Sequence, residues 1–144
     1  MKVRTHEPYV DLETESNFFH WTKADEIAFN QNLRQREKHR AYQFIFDMLV
    51  ENGVSGDYLE FGCHRGRTFR MALTEARRHA IEDMRFFAFD SFEGLPNHGS
   101  EAADHRLWKG GALSTSLSDF NCLINSHGIY CDRVTAIKGF YSET

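Results

Sequence analysis

The stretch Gly56-Asp-Tyr-Leu-Glu-Phe-Gly-Cys-His-Arg-Gly-Arg-Thr-Phe69 decides the fold of this chain, together with Phe86-Phe-Ala-Phe-Asp90 further on. The two stretches give a short apolar strand, a glycine turn, an amphipathic helix and a second apolar strand that ends in a carboxylate. This order is typical of a βαβ nucleotide-binding unit, in which glycines bring the backbone close to a ligand and an acidic residue binds ribose hydroxyls. The sequence therefore predicts a parallel α/β domain with a ligand site at the carboxyl ends of its strands.

The loop after the first strand favours S-adenosylmethionine over a dinucleotide. A dinucleotide site has the pattern G-x-G-x-x-G, whereas this loop is Glu60-x-Gly62-x-x-x-Gly66. A carboxylate at Glu60 would repel a pyrophosphate but would attract the ammonium group of an amino-acid ligand. Asp90 ends the second strand, where it is placed to bind ribose hydroxyls. The alternative is that the glycines serve turn geometry only.

Three segments resemble the macrocin O-methyltransferase (TylF-like) family of class I S-adenosylmethionine-dependent enzymes. They are Tyr-Leu-Glu-Phe-Gly (58–62), Thr-Phe-Arg-Met-Ala-Leu (68–73) and, most specifically, Phe-Asp-Ser-Phe-Glu-Gly-Leu-Pro (89–96). The resemblance covers about residues 40–144 and includes Val134-Thr-Ala-Ile-Lys-Gly-Phe-Tyr141. It implies an S-adenosylmethionine cofactor and methyl transfer to a small-molecule hydroxyl acceptor, a sugar or similar natural product. The residues that fall on the family's cofactor motif are Glu60, Gly62, Gly66, Asp90, Ser91, Phe92 and Gly94.

The resemblance also implies a fold, namely the N-terminal half of a doubly wound Rossmann-like methyltransferase sheet. We expect three parallel strands in the order 3-2-1 with flanking helices, preceded by a helical segment. The expected divisions are an N-terminal arm (1–22), a helical cap of two helices (23–55) and a partial cofactor-binding domain (56–144). Family members continue past this point and carry their metal-binding carboxylates there, so Mg²⁺ is expected only for a full-length member and no metal residue is assigned. The open edge of the first strand predicts a truncated product, a complementing chain or a homo-oligomer.

One histidine is the candidate for a catalytic base. Methyl transfer to a hydroxyl needs a group that removes its proton, and the long loop after the second strand contains His105, followed by Trp108-Lys-Gly-Gly111. The alternative is a solvated loop histidine. The eight histidines and three cysteines show no metal-ligand spacing.

Composition narrows the functional classes. A net charge of −4 gives no electrostatic reason to expect nucleic acid. No apolar stretch approaches the ~20 residues of a membrane span, and the first residues lack the apolar core of a signal peptide, so a cytoplasmic location is expected. Two other functions stay open. The first is a non-catalytic fragment or partner subunit that binds S-adenosyl ligands. The second is a nucleotide-binding oxidoreductase, which the charge of Glu60 disfavours.

Overall fold

The structure is a computed structural model that describes residues 23–96, 110–111 and 113–141. Its helices are α1 (Lys23–Glu51), α2 (Arg67–Arg78) and α3 (Leu117–His127), and its strands are β1 (Tyr58–Phe61), β2 (Phe86–Asp90) and β3 (Val134–Lys138). A short 3₁₀ turn, Cys131–Arg133, leads into β3. The chain divides into two compact units, residues 1–41 and 42–144, and the second contains the whole sheet. The predicted arm, 1–22, lies outside the described residues.

The three strands form a parallel sheet in the order β1-β2-β3, which confirms the predicted α/β fold and the predicted strand order. Phe61 is paired with Phe89, and Asp90 is paired with Lys138. The ladder runs one residue past each outer strand, because Gly62 N donates to Phe89 O at 2.9 Å and Gly139 N donates to Asp90 O at 3.1 Å. These two bonds fix where the loops after β1 and β3 leave the sheet, on either side of Asp90.

One face of the sheet is packed against helices. Phe86 and Ala88 are fully buried there, as are Phe69 and Leu73 of α2 and Phe120 of α3. Burying each of these phenylalanines stabilises the fold by about 1.5–3 kcal/mol. The alternate residues of β1, Leu59 and Phe61, point to the other face and stay 50% and 62% exposed. Packing of this face against the helices holds the strands in place, and the loops at the carboxyl ends of the strands are held with them.

The first helix differs from the prediction in two respects. The sequence predicts two helices before β1, but the structure has a single helix of 29 residues. The sequence places Phe44, Ile45, Met48 and Leu49 on one apolar face of a helix, yet Phe44, Ile45 and Met48 are exposed. Phe46 is buried instead, with Tyr42 packed half-buried against the same core. Residues 42 and 46 are one helical turn apart, so the two aromatic rings share a face, and residue 44 lies about half a turn away from it.

The helix ends are set by different devices. At α3 the capping-box spacing of Ser116 and Asp119 predicts the start of the helix and Gly128 predicts its end. Both are confirmed, since Ser116 Oγ accepts the Asp119 amide at 3.1 Å and Gly128 ends the helix with φ of 72°. At α2 the sequence predicts Thr68 as the cap, but Gly66 occupies that position with φ of 58° and no side chain caps the helix. The Thr68 hydroxyl donates to Glu60 Oε1 at 2.7 Å instead. Thr68 therefore joins α2 to β1 rather than closing its own helix.

Candidate functional site

A cavity of ≈ 570 Å³ opens at the carboxyl ends of the strands. Its lining comes from the loops that follow all three strands and from the segment before α3 (Gly62, His64, Asp90, Ser91, Gly94, Leu95, Pro96, Leu113, Gly139, Phe140 and Tyr141). Ligands of open parallel sheets bind in the crevice outside these strand ends, and sites for small organic ligands have volumes of about 300–1,000 Å³. The position and the size of the cavity are therefore those of a nucleotide-sized ligand site.

Asp90 links two of the loops that line the cavity. Its Oδ2 accepts the backbone N–H of His64 at 2.8 Å, and its Oδ1 accepts the backbone N–H of Phe92 at 2.8 Å. An ionised carboxylate offers about four acceptor sites, so these two amides leave capacity for further donors. Asp90 can thus hold the loops in place and accept hydrogen bonds from ligand hydroxyls at the same time.

The glycine loop contains two glycines with different surroundings. Gly62 lines the cavity with φ of 81°, and a Cβ built there would lie 3.4 Å from the Tyr141 hydroxyl oxygen. Gly66 is not among the lining residues, and a Cβ there would lie 3.0 Å from Cε2 of Phe120. Between them His64 also has a positive φ of 44°, and its Nδ1 is 3.2 Å from Thr115 Oγ1. Gly62 therefore keeps the backbone open towards the cavity, whereas Gly66 makes room for the core.

The turn after β2 is held by its own hydrogen bonds. Ser91 Oγ donates to Gly94 O at 2.7 Å and accepts the Glu93 amide at 3.2 Å. Phe92 has a φ of 54° and its ring is buried, 5.3 Å from the ring of Phe120 between centroids. Ser91 and Gly94 line the cavity, but the hydroxyl of Ser91 serves the turn. Phe92 places the turn by packing in the core.

The Glu60 carboxylate lies on the helix-covered side of β1, and Glu60 is not among the described residues that line the cavity. Tyr58 donates its hydroxyl to Glu60 Oε2 at 2.5 Å, and Thr68 donates to Oε1 at 2.7 Å. Glu60 is two residues before Gly62, so its negative charge lies on the helix-covered side of the sheet, below the loop that begins at Gly62, and not in the cavity wall. Any effect on a ligand must act through space, through water or through the loop.

The surroundings of Cys63 are those of a buried structural side chain and not of a reactive thiol. Its side chain is buried between the loop and β2, and its Sγ donates to Glu60 O at 3.3 Å. Burial raises the pKa of the Cys63 thiol well above its usual range, and the nearby charges of Glu60 and Asp90 raise it further. The thiol is therefore protonated at neutral pH and acts as a small buried side chain.

Several lining residues were missed at the sequence level, chiefly Leu95, Leu113 and Tyr141. The available signal was topological, because the loops after parallel strands meet at one edge of the sheet. Burial and the charge of Asp90 raise the pKa of the Tyr141 hydroxyl. His105 lies outside the described residues, so its role as a base stays a prediction.

Leu95, which lines the cavity, and Gly111 flank the segment that contains His105. The Gly111 amide donates to Leu95 O at 2.9 Å, which joins the two ends of the stretch from 96 to 110. The described residues contain no group of three or more histidine, cysteine, aspartate or glutamate side chains that could hold a metal ion. Among them, no helix has both the length and the apolar character needed to cross a membrane.

Comparisons with known proteins agree with this arrangement. The chain is 28% identical over 107 residues to 8-demethyl-8-(2,3-dimethoxy-alpha-L-rhamnosyl)-tetracenomycin-C 4'-O-methyltransferase of Streptomyces olivaceus, which covers 71% of this chain and 41% of that protein. It is 27% identical over 109 residues to mycinamicin III 3''-O-methyltransferase of Micromonospora griseorubida, with 71% and 43% covered. The chain thus spans about two fifths of the length of the curated relatives it matches.

Solved structures give the same fold. The O-methyltransferase NovP matches with a TM-score of 0.65 and 22% identity, over 76% of this chain and 47% of that one. The calicheamicin methyltransferase CalS11 matches with a TM-score of 0.51 and 16% identity, over 91% and 60%. The sequence profile described as Macrocin-O-methyltransferase (TylF) matches residues 13–144, starting nearer the N-terminus than the resemblance suggests. The resemblance is confirmed, and the chain belongs to the macrocin O-methyltransferase family.

Proposed function

We propose that this chain forms the S-adenosylmethionine-binding part of an O-methyltransferase that acts on a hydroxyl of a sugar or similar natural product. The observation that carries the proposal is the Asp90 carboxylate at the end of β2, in the wall of a cavity that Gly62 also lines. The family supports the use of S-adenosylmethionine. The names of the relatives describe O-methyltransferases of tetracenomycin, mycinamicin and novobiocin compounds, and they support the class of acceptor.

The residues present fit this cofactor. A nucleoside needs an acceptor for two ribose hydroxyls, and Asp90 keeps acceptor capacity beyond its two amide bonds. It also needs apolar surface for a base, and Leu95, Pro96 and Leu113 provide such surface in the same cavity. When bound, S-adenosylmethionine supplies a methyl group activated by its sulfonium. The role of this chain is then to bind and orient, with Asp90 and the backbone at Gly62 fixing the nucleoside end.

Glu60 is proposed to act on the other end of the cofactor. Its negative charge lies beneath the loop that includes Gly62, on a strand whose end faces the cavity. The amino-acid portion of S-adenosylmethionine carries an ammonium group, which a nearby carboxylate attracts more strongly in a partly buried site than in water. Phe92 and Gly66 contribute by holding the loops in place, since the Phe92 ring packs against Phe120 and Gly66 leaves the space that the Phe120 ring needs.

The acceptor side of the reaction remains a prediction. His105 is proposed as the base that removes the hydroxyl proton; in support, Leu95 and Gly111, which flank its segment, are joined by a backbone hydrogen bond, and Leu95 lines the cavity. Mg²⁺ dependence is proposed for a chain that also carries the remainder of the fold. A homo-oligomer or a complementing chain, and a cytoplasmic location, likewise remain predictions.

Isothermal titration calorimetry of the chain with S-adenosylhomocysteine tests the proposal. We expect binding, and we expect Asp90→Ala to weaken it by about 1–3 kcal/mol because charge-assisted hydrogen bonds are lost. Asp83→Ala is the matched control, since Asp83 is an exposed carboxylate in the turn before β2. Binding of NADH without binding of S-adenosylhomocysteine would refute the proposal, and so would equal affinities for the Asp90 and Asp83 variants.

A further inference from the structure

Four polar side chains meet on the helix-covered side of β1, and we call them the Glu60 cluster: Tyr42, Tyr58, Glu60 and Thr68. The Tyr42 and Tyr58 hydroxyls are 2.9 Å apart, Tyr58 donates to Glu60 Oε2 at 2.5 Å, and Thr68 donates to Oε1 at 2.7 Å. The cluster joins α1, β1 and α2, and all of its bonds are partly buried. Each Glu60 oxygen therefore has a donor from a different element.

The direction of the chain of hydrogen bonds follows from proton counting. A tyrosine hydroxyl has one proton, and Tyr58 gives its proton to Glu60 Oε2. In the bond between the two tyrosines, Tyr58 must then accept and Tyr42 must donate. Burial raises the pKa of both phenols, and the charge of Glu60 raises it further, so both keep their protons at neutral pH. Tyr42 thus strengthens the bond from Tyr58 to Glu60.

The hydroxyl of Tyr58 is not needed for the packing of its ring. The ring contacts Phe69 edge-on at 5.7 Å and Phe86 at 5.9 Å between centroids, and a phenylalanine ring would make the same contacts. The carboxylate, by contrast, is partly buried on the helix-covered side of β1, opposite the buried Ala88 of β2, where an apolar side chain would avoid the cost of desolvating a charge. The donors around it offset this cost, and they also fix the position of the charge two residues before Gly62.

We propose that Tyr58, supported by Tyr42 and Thr68, is a positioning residue that holds the Glu60 carboxylate where it attracts the amino-acid end of S-adenosylmethionine. The inference rests on the proposed function and adds to it. It assigns three residues to the recognition of one end of the cofactor, although none of them is among the described residues that line the cavity.

Two ligands separate this role from a structural one. S-Adenosylhomocysteine carries the amino-acid group, whereas 5'-methylthioadenosine has the same adenosine and thioether without it. We expect Tyr58→Phe to lower the affinity for S-adenosylhomocysteine about 10-fold or more, which corresponds to the loss of a hydrogen bond to a charged group, and to change the affinity for 5'-methylthioadenosine less than about two-fold. Titration calorimetry on the chain measures both.

Four further variants complete the test. Tyr130→Phe is the matched control, because Tyr130 also donates its hydroxyl to a glutamate, Glu82 at 2.8 Å, in another part of the fold; it should leave both affinities unchanged. Glu60→Gln should show the same split between ligands, and combining it with Tyr58→Phe should add little, because the tyrosine acts through the carboxylate. If Tyr58→Phe does not fold by circular dichroism, Thr68→Val is measured against the same criterion.

The outcomes are distinct. Equal losses for the two ligands, or additive losses in the double variant, would overturn the positioning role while leaving the proposed function standing. No binding of either ligand by the unaltered chain would overturn both. A selective, non-additive loss of affinity for S-adenosylhomocysteine supports both.

Discussion

Replacing Gly66 by alanine would show whether this glycine is required by the ligand or by the core. The sequence motif assigns Gly66 to the cofactor loop. In the structure, however, a side chain at this position would point at Phe120. A Cβ would lie 3.0 Å from Cε2 and 3.4 Å from Cδ2 of that ring. Phe120 is fully buried, so the ring cannot move aside without disturbing other core residues.

The expected loss of stability has two parts. The backbone at Gly66 has φ of 58°, and an alanine in this left-handed conformation costs about 1–2 kcal/mol. Forcing a methyl group against a packed core ring costs about 1–3 kcal/mol. Gly66→Ala should therefore lower the free energy of unfolding by about 2–5 kcal/mol, a large part of the ~5–15 kcal/mol typical of a domain.

Urea unfolding followed by circular dichroism measures this loss. Gly128→Ala is the control, because Gly128 also has a left-handed φ, 72°, but nothing lies within 4 Å of its Cβ position. It should cost only the backbone part, about 1–2 kcal/mol. In a Phe120→Leu background, the extra cost of Gly66→Ala over Gly128→Ala should largely disappear, since the two residues are in contact.

Equal losses for Gly66→Ala and Gly128→Ala would refute the packing argument. So would a Gly66→Ala variant that keeps its stability and loses affinity for S-adenosylhomocysteine, because the glycine would then be needed for close approach of the ligand. Absence of coupling between Gly66→Ala and Phe120→Leu would likewise show that contact with this ring is not the cause of the loss.

Two other predictions concern ionisable groups. Hydrogen bonds from Tyr130 and Arg133 lower the pKa of Glu82, so its contribution to stability is present above the usual glutamate pKa of about 4.3 and is lost as the pH falls through the lowered value. The urea midpoint of Glu82→Gln should accordingly fall less between pH 6 and pH 3 than that of the unaltered chain; parallel curves would contradict this. Burial raises the pKa of the Cys63 thiol, whereas Cys122 is exposed, so iodoacetamide at pH 8 should label Cys122 at least about 10-fold faster. Peptide mass spectrometry measures the two rates, and comparable rates would show that the loop around Cys63 opens readily.

Local patterns predict much of this fold because they agree with one another. The aromatic run at 86–89 is apolar on both sides, as a central parallel strand requires, and it forms the middle strand β2. Ser116 and Gly128 delimit α3 through local hydrogen bonds and backbone geometry, which need no knowledge of tertiary contacts. The family motif also places Gly62 and Asp90 at the strand ends, and both line the cavity.

Other features depend on contacts that a sequence does not contain. The run Phe44-Ile45-Phe46 offers three neighbouring apolar side chains, and only docking of the helix selects Phe46 for the core. The bonds to Glu60 come from Tyr58, two residues away, and from Thr68 on the next element, while Tyr42 reaches the cluster from α1. The motif identifies Glu60 as a candidate cofactor residue, but it does not indicate which way the carboxylate points.

The hydrogen bond from Gly111 to Leu95 has an evolutionary consequence. It closes a loop whose two ends are held at the cavity, whatever the length of chain between them. Doubling the length of a flexible closed loop costs only about 0.6 kcal/mol, so insertions and deletions in this interval are cheap for the fold. Descendants of one ancestral gene can therefore vary the sequence and length of this interval while inheriting the same strand ends and the same cavity wall at Asp90 and Leu95.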